Sequence, residues 1–322
     1  MKTYAWIVGG RGLLGSAIGR AIEQRTDWAL VASEPLPWGD DDALFEAAGR
    51  AAARLMSSAA ESGARWSVIW AAGAAVTSSS AEALERELQQ FTLVLDAIAA
   101  EAQRRQSARQ GSVFYASSAG GVYGGSAHPP FDETSVPVPI SGYGRFKLAA
   151  EQKLFDFSEA ADVSVLAGRI ANLYGPGQKL GKMQGLISHL AKAQLSPAPA
   201  SIFVPLDTIR DYIYVGDCAT LVLDSIERLL DVSAASGTTR AVKILASGQG
   251  VTISNLLGHF RILAKGHPHV MLGSSGDASL QGLDLRLRSS VWPDLDRRDL
   301  TPLPVGIRAT IEDVLGHIQA GA

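Results

Sequence analysis

A glycine-rich loop close to the N-terminus restricts the possible folds of this chain more than any other feature. Residues 4–8 form a short apolar run typical of a buried strand, and an apolar helical pattern covers residues 16–24. Between them, glycines recur at every third position. Glycines let a backbone approach a pyrophosphate closely, and the N–H groups of a following helix attract its negative charge. We therefore predict a dinucleotide-binding strand–loop–helix unit, whose binding residues are Gly9, Arg11, Gly12, Leu13, Leu14 and Gly15.

Strand-like and helix-like patterns alternate along the first half of the chain, up to about residue 170. Such alternation favours an α/β protein with a parallel, doubly wound sheet of the Rossmann type. The predicted strands cover residues 28–33, 66–70, 112–115 and 163–170, and the predicted helices cover residues 41–62, 80–103 and 143–159.

The alternation loosens beyond residue 170, which indicates a change of architecture. We predict that residues 1–170 form a dinucleotide-binding domain and that residues 210–246 return to it. Residues 171–209 and 247–322 are then expected to form a smaller substrate-binding domain.

Composition and charge argue against several classes of partner. The 322 residues carry a formal net charge of −3, which gives no electrostatic reason to bind nucleic acid or an anionic membrane. No apolar run reaches the ~18 residues that a membrane span needs. The single cysteine, Cys218, excludes an intrachain disulfide and suits a reducing compartment, so we expect a cytoplasmic protein. The six histidines show no metal-ligand spacing, and no metal site is predicted.

Tyr143 and Lys147 are candidates for acid–base chemistry. Oxidising an alcohol beside a nicotinamide requires a base for the hydroxyl proton, and a phenol with its unperturbed pKa of about 10 is a poor one. A lysine four residues later lies on the same helix face, and its ammonium favours the phenolate. Ser118 follows a predicted strand, from which its hydroxyl can bind the reacting oxygen. The predicted catalytic residues are therefore Ser118, Tyr143 and Lys147.

The end of the second predicted strand bears on the choice of cofactor. An NAD site usually has an acidic residue there for the ribose 2′-hydroxyl, but Ser33 stands at that place and Glu34 follows it. Because Arg11 lies in the glycine loop, a 2′-phosphate could be accepted. We predict NAD or NADP and favour NADP slightly. Ala71 and Ala72 end the third strand, and their small side chains would let the dinucleotide lie close.

Several motifs in their usual order resemble the extended short-chain dehydrogenase/reductase family, in particular its NAD-dependent epimerase/dehydratase (nucleotide-sugar epimerase) type. Besides the glycine loop, they are the serine loop (residues 117–124), Tyr-x-x-x-Lys at 143–147, Arg-x-x-Asn-x-Tyr-Gly-Pro-Gly at 169–177 and Arg-Asp-Tyr-Ile-x-Val-x-Asp at 210–217. The resemblance covers most of the chain.

The resemblance implies roles for individual residues. Tyr143 would be the acid/base, Lys147 would bind the nicotinamide ribose, and Asn172 and Arg210 would contact the diphosphate side of a nucleotide sugar. Residues 184–187 would lead into a substrate helix, and Arg286 or Arg288 could supply a second phosphate contact. The serine loop is one residue longer than usual, so Ser117 and Ser118 remain alternatives for the reacting oxygen. The family also implies a homodimer formed through the helices at 80–103 and 143–159.

Two reactions agree with these features. The first is the epimerisation of a nucleotide sugar by transient oxidation of a sugar hydroxyl, in the manner of a 4-epimerase. The second is NADPH-dependent reduction of a keto sugar or another carbonyl, which uses the same catalytic residues and is favoured by Arg11 and the missing acid. Ala119 and Gly120 stand where a dehydratase would carry acidic residues, which argues against that reaction. A binding protein without catalysis is disfavoured by the intact Tyr143 and Lys147.

Overall fold

The computed structural model describes residues 1–178, 185–263, 269–273 and 282–320. Its strands are β1 (Thr3–Val8), β2 (Trp28–Leu30), β3 (Arg65–Trp70), β4 (Gly111–Ser118), β5 (Ser164–Ile170), β6 (Asn172–Tyr174), β7 (Ala200–Ile202), β8 (Ile209–Tyr214), β9 (Arg240–Leu245), β10 (Gly250–Thr252), β11 (Val270–Leu272) and β12 (Asp284–Leu285). Its α-helices are α1 (Leu13–Glu23), α2 (Asp41–Glu61), α3 (Ala81–Arg105), α4 (Ala119–Val122), α5 (Gly142–Ala161), α6 (Leu186–Gln194), α7 (Val215–Ser236), α8 (Ile253–Leu263) and α9 (Leu303–Gln319).

A six-stranded parallel sheet, ordered β2-β1-β3-β4-β5-β9, forms the centre of the first unit. Helices α1 and α7 cover one face, and α2, α3 and α5 cover the other. A sheet covered on both faces needs continuously apolar strands, and all the residues of β5 are indeed buried. The predicted α/β fold with a doubly wound, Rossmann-type sheet is confirmed.

The sheet has its topological switch point between β1 and β3, since the chain leaves β1 first toward β2 and later returns to β3 on the opposite side. Doubly wound sheets bind ligands outside the carboxyl ends of their strands at such a point. The glycine loop follows β1, and Ala71 and Ala72 follow β3. The predicted cofactor loops therefore meet at the switch point.

Strand β2 is shorter than the sequence predicts and forms the edge of the sheet. It ends at Leu30 instead of Ser33, and none of the strands in the described residues lies outside it, so this side has one strand fewer than the order 3-2-1-4-5-6. Pro35 and Pro37 follow shortly, and a proline cannot donate to a strand ladder. The chain instead runs directly into α2.

Strand β8 is the centre of a second, smaller sheet, in which it pairs with β6 and β12 in parallel and with β10 antiparallel. Helices α6, α8 and α9 pack beside it through a separate apolar cluster. Within residues 210–246, helix α7 packs in the apolar cluster of the main sheet and strand β9 pairs with β5, whereas β8 forms its ladders in the smaller sheet.

A buried lysine fastens the C-terminal segment to the main sheet. The side chain of Lys243 on β9 is fully buried, and its Nζ donates to the carbonyl of Val291 at 2.7 Å and to the carboxylate of Asp296 at 2.8 Å. Glu133, from the proline-rich segment after the serine loop, accepts a hydrogen bond from the backbone N–H of Ser290. These contacts hold the C-terminal segment beside the carboxyl ends of β4 and β5.

Asp211 on β8 is a buried carboxylate with a raised pKa. Its Oδ1 accepts hydrogen bonds from the N–H and hydroxyl of Ser247 at 2.8 and 2.9 Å, while its Oδ2 has no hydrogen-bond partner among the described residues. Burial raises the pKa of Asp211 from 3.8 to about 6, although the hydrogen bonds from Ser247 lower it. Because the folded protein holds this proton more tightly than the unfolded chain, stability declines as the pH rises from about 4 to about 6.

We predict that Asp211→Asn gains stability relative to the wild type as the pH rises. The free energy of unfolding of the variant, relative to that of the wild type, should rise by about 1.4 kcal/mol between about pH 5 and about pH 7.5. Only the last pH unit below the raised pKa falls in this range, and one pH unit corresponds to about 1.4 kcal/mol. Urea unfolding at both pH values measures the change, with the exposed Asp207→Asn as the matched control. A difference that stays constant with pH would show that Asp211 does not titrate in this range.

Candidate active site

The glycine loop packs so closely against the exit of β3 that two of its positions admit only glycine. Gly9 has a φ of +88°, and a Cβ there would lie 2.5 Å from the backbone nitrogen of Ala72. A Cβ on Gly15 would lie 2.3 Å from the carbonyl oxygen of Gly9. Gly12 is the N-cap of α1, whose first turn contains no acidic residue. Bare backbone and a helix N-terminus thus face the switch point, which is what a pyrophosphate requires.

The other residues predicted to bind the cofactor are placed differently. Arg11 is exposed, and Leu13 is half-buried. The side chain of Leu14 belongs to the apolar core, so only its backbone is available to a ligand. Ala71 continues the main-chain pairing of β3 by donating its N–H to the carbonyl of Val8 at 2.9 Å.

Ser33 lies at the edge of the sheet, where an adenosine ribose would be expected. Its hydroxyl accepts a hydrogen bond from the indole N–H of Trp6 at 2.9 Å. Arg54 of α2, which the sequence reasoning missed, donates to the carbonyl of Ala32 at 3.1 Å. A guanidinium is thus bonded to the residue that precedes Ser33, and the carboxylate of Glu34 is exposed.

Tyr143 stands in the first turn of α5, at the place where this helix touches the serine loop. The hydroxyl of Ser141 caps α5 by accepting from the N–H of Gly144 at 3.1 Å. A Cβ on Gly144 would lie 2.1 Å from the carbonyl oxygen of Gly121, so helix and loop are in backbone contact. A Cβ on Gly121 would in turn lie 3.2 Å from the ring of Tyr143 and 3.3 Å from the Oγ of Ser118. The phenol and the serine hydroxyl therefore flank the same glycine.

Lys147, one turn further along α5, is buried and fixed to strand β4. Its Nζ donates to the hydroxyl of Tyr115 at 3.2 Å and to the carbonyl of Ala116 at 3.0 Å, and lies 5.6 Å from the centre of the Tyr143 ring. Burial would lower the pKa of Lys147, but the attraction of Tyr115 and Tyr143 outweighs it and raises the pKa. Burial also raises the pKa of Tyr115 to about 12, so this phenol stays neutral as a hydrogen-bond acceptor. Lys147 remains a cation next to Tyr143.

The two serines of the serine loop have different surroundings. Ser118 caps the short helix α4, where its Oγ accepts from the N–H of Gly121 at 3.2 Å, and it lines a large cavity. Ser117 is buried and is not among the residues that line this cavity. Its hydroxyl donates to Glu151 of α5 at 2.5 Å. Of the two alternatives, Ser118 is the one placed to touch a ligand.

Glu151 is the centre of a buried polar network that joins the serine loop to α5 and β5. Its carboxylate pairs with Arg169 of β5 at 2.6 Å, and both side chains are almost completely buried. Arg169 also donates to the hydroxyl of Tyr123 at 2.7 Å, which itself donates to the carbonyl of Asp132. A buried ion pair with all its partners present holds a unique geometry, and removing one partner is costly.

A cavity of about 730 Å³ brings together residues from distant motifs. Ser118, Tyr143, Asn172 and Arg210 all line it. The amide of Asn172 is oriented by donating to the carbonyl of Asp211 at 2.9 Å. Burial lowers the pKa of Arg210, and its Nη1 donates to the carbonyl of Ile209 at 2.9 Å.

Other parts of the cavity wall were not foreseen from the sequence. They are Thr77, His189, Lys192 and the segment 198–204. The helical pattern of α6 could have indicated His189 and Lys192, whereas segment 198–204 has no recognisable motif. Of the predicted stretch 184–187, Gln184 lies outside the described residues, and Gly185 and Leu186 line the cavity.

Arg286 and Arg288 do not line the cavity. Arg286 is paired at the surface with Asp284 at 2.8 Å, and the backbone N–H of Arg288 donates to the carbonyl of Phe131. Leu287, between the two arginines, forms an isolated β-bridge with Phe131.

Within the part of the chain that the structure describes, no group of three or more His, Cys, Asp or Glu side chains could hold a metal ion. No helix in the same residues is both long and apolar enough to cross a membrane.

The model of the NAD dependent epimerase/dehydratase family matches residues 5–233, which is most of the chain. The protein belongs to this family. It is of the extended short-chain dehydrogenase/reductase type, as the order of its motifs indicates, and the predicted membership is confirmed.

Two curated relatives match shorter stretches. The dTDP-4-dehydro-6-deoxyglucose reductase of Escherichia coli is 32% identical over 115 residues, which are 36% of this chain and 36% of that protein. A UDP-glucose 4-epimerase of Rhizobium leguminosarum bv. trifolii is 28% identical over 165 residues, covering 46% of this chain and 47% of that protein. The chain thus spans between 36% and 47% of the length of these relatives.

Solved structures match over nearly the whole chain. MoeE5 in complex with UDP-glucose and NAD has a TM-score of 0.76 at 22% identity, covering 99% of this chain and 100% of that one. RMD from Pseudomonas aeruginosa complexed with NADPH has a TM-score of 0.74 at 22% identity, covering 97% of both chains. These structural similarities show that the chain has the same fold as these proteins.

We predict that the two serines respond differently to alanine. Ser118→Ala should lower kcat by about ten- to a hundredfold, because it removes one hydrogen bond to the reacting oxygen. It should also cost about 0.5–2 kcal/mol of stability, because the N–H of Gly121 loses its cap. Ser117→Ala should lower the free energy of unfolding by about 1–3 kcal/mol, because Glu151 loses a buried partner. Turnover and urea unfolding of both variants measure these effects. The reverse pattern would assign the reacting oxygen to Ser117.

Proposed function

We propose that this protein is an NAD(P)-dependent nucleotide-sugar epimerase of the 4-epimerase type, which acts by transient oxidation of a sugar hydroxyl. The observation that carries the proposal is the shared cavity, which is lined by both the candidate acid/base Tyr143 and the buried cation Arg210. A ligand that fills it would present a hydroxyl to Tyr143 and a negative charge to Arg210. The epimerase relative and the UDP-glucose complex of MoeE5 support this reading.

The proposed roles follow from the geometry of the three catalytic residues. Tyr143 takes the proton of the sugar hydroxyl and later returns it, while Ser118 holds the reacting oxygen by a hydrogen bond. Lys147 keeps its positive charge beside Tyr143 and stabilises the phenolate. An ammonium has three hydrogens, and Tyr115 and Ala116 accept two of them, so one remains for a ribose hydroxyl.

A nicotinamide dinucleotide suits the switch point, because Gly9 and Gly15 leave a backbone cradle that any side chain would fill. When bound there, it would supply the acceptor and donor of hydride. We propose that Gly9, Gly12 and Gly15 hold its pyrophosphate and that Ala71 and Ala72 flank it.

We propose NADP slightly ahead of NAD as the dinucleotide. Ser33 replaces the usual acid, and the guanidinium of Arg54 donates to the carbonyl of Ala32, the preceding residue. Arg11 is exposed in the neighbouring loop and could add a second positive charge. The NADPH complex of RMD is consistent with this choice.

The second candidate is a net NADPH-dependent reductase of a keto sugar or another carbonyl. The replacement of the usual acid by Ser33 and the exposed Arg11 also favour this reaction. The similarity to the dTDP-4-dehydro-6-deoxyglucose reductase supports it as well. Cofactor consumption separates the two reactions, because an epimerase returns the hydride and consumes none.

We also propose that residues 171–209 and 247–322 contribute the substrate side of the site and that the protein forms a homodimer through α3 and α5, which lie side by side. A cytoplasmic location agrees with the single cysteine, Cys218, which is free and buried.

We predict that Tyr143→Phe lowers kcat by about 10²–10⁴-fold, because the phenol can no longer carry the proton. Cofactor binding and the free energy of unfolding should stay close to those of the wild type, since the aromatic ring remains. The assay follows formation of the epimer from UDP-glucose, with Tyr4→Phe, which loses a hydroxyl remote from the site, as the matched control. Turnover that survives in Tyr143→Phe would remove Tyr143 from the acid/base role.

A further inference from the structure

One face of helix α6 lines the cavity. Leu186, His189 and Lys192 all line the cavity, and their spacing of three residues places them along one side of a helix. The opposite side, with Ile187 and Leu190, is buried in the apolar cluster of the second unit. Because that apolar side fixes the rotation of the helix, the two basic side chains are held on the cavity wall.

The described part of the cavity wall carries charges of a single sign. Among the described residues that line the cavity, the ionisable side chains other than Tyr143 and Tyr212 are His189, Lys192 and Arg210, and none is a carboxylate. The side chains of His189 and Lys192 make no hydrogen bond or ion pair with another residue in the described part of the chain. Arg210 reaches the same cavity from β8, a different element. A concave wall with one sign of charge concentrates ligands of the opposite sign.

We propose that His189 and Lys192 bind the diphosphate of the substrate together with Arg210. This inference rests on the proposed function and specifies its substrate as a nucleoside diphosphate derivative. A guanidinium forms directed bonds to phosphate oxygens, whereas an ammonium on a flexible stem adapts as a point charge. The basic face of α6 and Arg210 of β8 thus contact the same phosphate groups from two elements, and the apolar packing of α6 sets the distance between them.

The experiment compares UDP with uridine, because the two ligands share a base and ribose and differ in the phosphates. Calorimetry on the full-length protein as purified measures both affinities, at low and at high salt. Lys192→Met removes the charge and His189→Gln replaces the imidazole by an amide that carries no charge, and both keep most of the volume, whereas Lys192→Arg keeps the charge. Lys153→Met is the matched control, since Lys153 is exposed on α5 and does not line the cavity.

We expect Lys192→Met to weaken UDP binding about ten- to a hundredfold, as loss of a charge-assisted hydrogen bond implies. His189→Gln should weaken it less, and Lys192→Arg should stay close to the wild type. Uridine affinity should be unchanged in every variant. The salt dependence of UDP binding should become shallower in Lys192→Met, because screening acts on the charge that was removed.

UDP affinity that is unchanged in both Lys192→Met and His189→Gln would overturn the proposal. An equal loss of uridine and UDP affinity would also overturn it, because the residues would then support the wall of the cavity and not the phosphates. If the wild-type protein binds a nicotinamide dinucleotide but neither UDP nor dTDP, the proposed nucleotide-sugar function itself fails. That outcome is distinguishable, since it appears before any variant is made.

Discussion

The first turn of α5 lies directly on the backbone of the serine loop, with no space for a side chain between Gly144 and the carbonyl of Gly121. This contact fixes how far Tyr143 stands from Ser118, because each lies against Gly121. It is reinforced from within by the buried pair of Glu151 and Arg169, which bonds to both ends of the serine loop through Ser117 and Tyr123. In the proposed reaction, the phenol and the hydroxyl act on one oxygen, which requires closely set positions. Gly121, Gly144 and the buried ion pair fix these positions.

The main sheet and the glycine loop could be predicted from the sequence, because each rests on local patterns. Apolar runs alternate with helical stretches, and the glycines recur at a fixed spacing before α1. The edge of the sheet was harder to predict. The apolar run at 28–33 looks like a longer strand, yet β2 ends at Leu30 at the edge of the sheet, shortly before Pro35 and Pro37. Strand β8 likewise carries a motif that identifies it but gives no sign of which sheet it joins.

Within the site, the sequence could place Tyr143 and Lys147 on one helix face but could not choose between Ser117 and Ser118. That choice depends on tertiary contact, because Glu151 reaches Ser117 from another element and leaves Ser118 on the cavity wall. Lys192 was missed for a similar reason. A lone lysine on a helix is usually a solvated side chain, and only the packing of α6 against the second unit brings Lys192 to the cavity.

The division of the chain into two units explains how one cavity can combine different chemistry. The end of β4 supplies Ser118 and the first turn of α5 supplies Tyr143, whereas the second unit supplies basic side chains on β8 and α6. The Lys243 contacts to the C-terminal segment hold the two parts in register, with Leu285 on the cavity wall. A ligand with both a sugar hydroxyl and a diphosphate would span these two parts.

We propose that the protein oxidises and then reduces its own substrate with a dinucleotide that stays bound. The most direct test denatures protein purified without added cofactor and identifies any released dinucleotide by mass and absorbance. The account predicts close to one equivalent of NAD⁺ or NADP⁺ per chain. An empty protein that binds NADPH reversibly, and consumes it in proportion to product, would contradict the account and identify a net reductase.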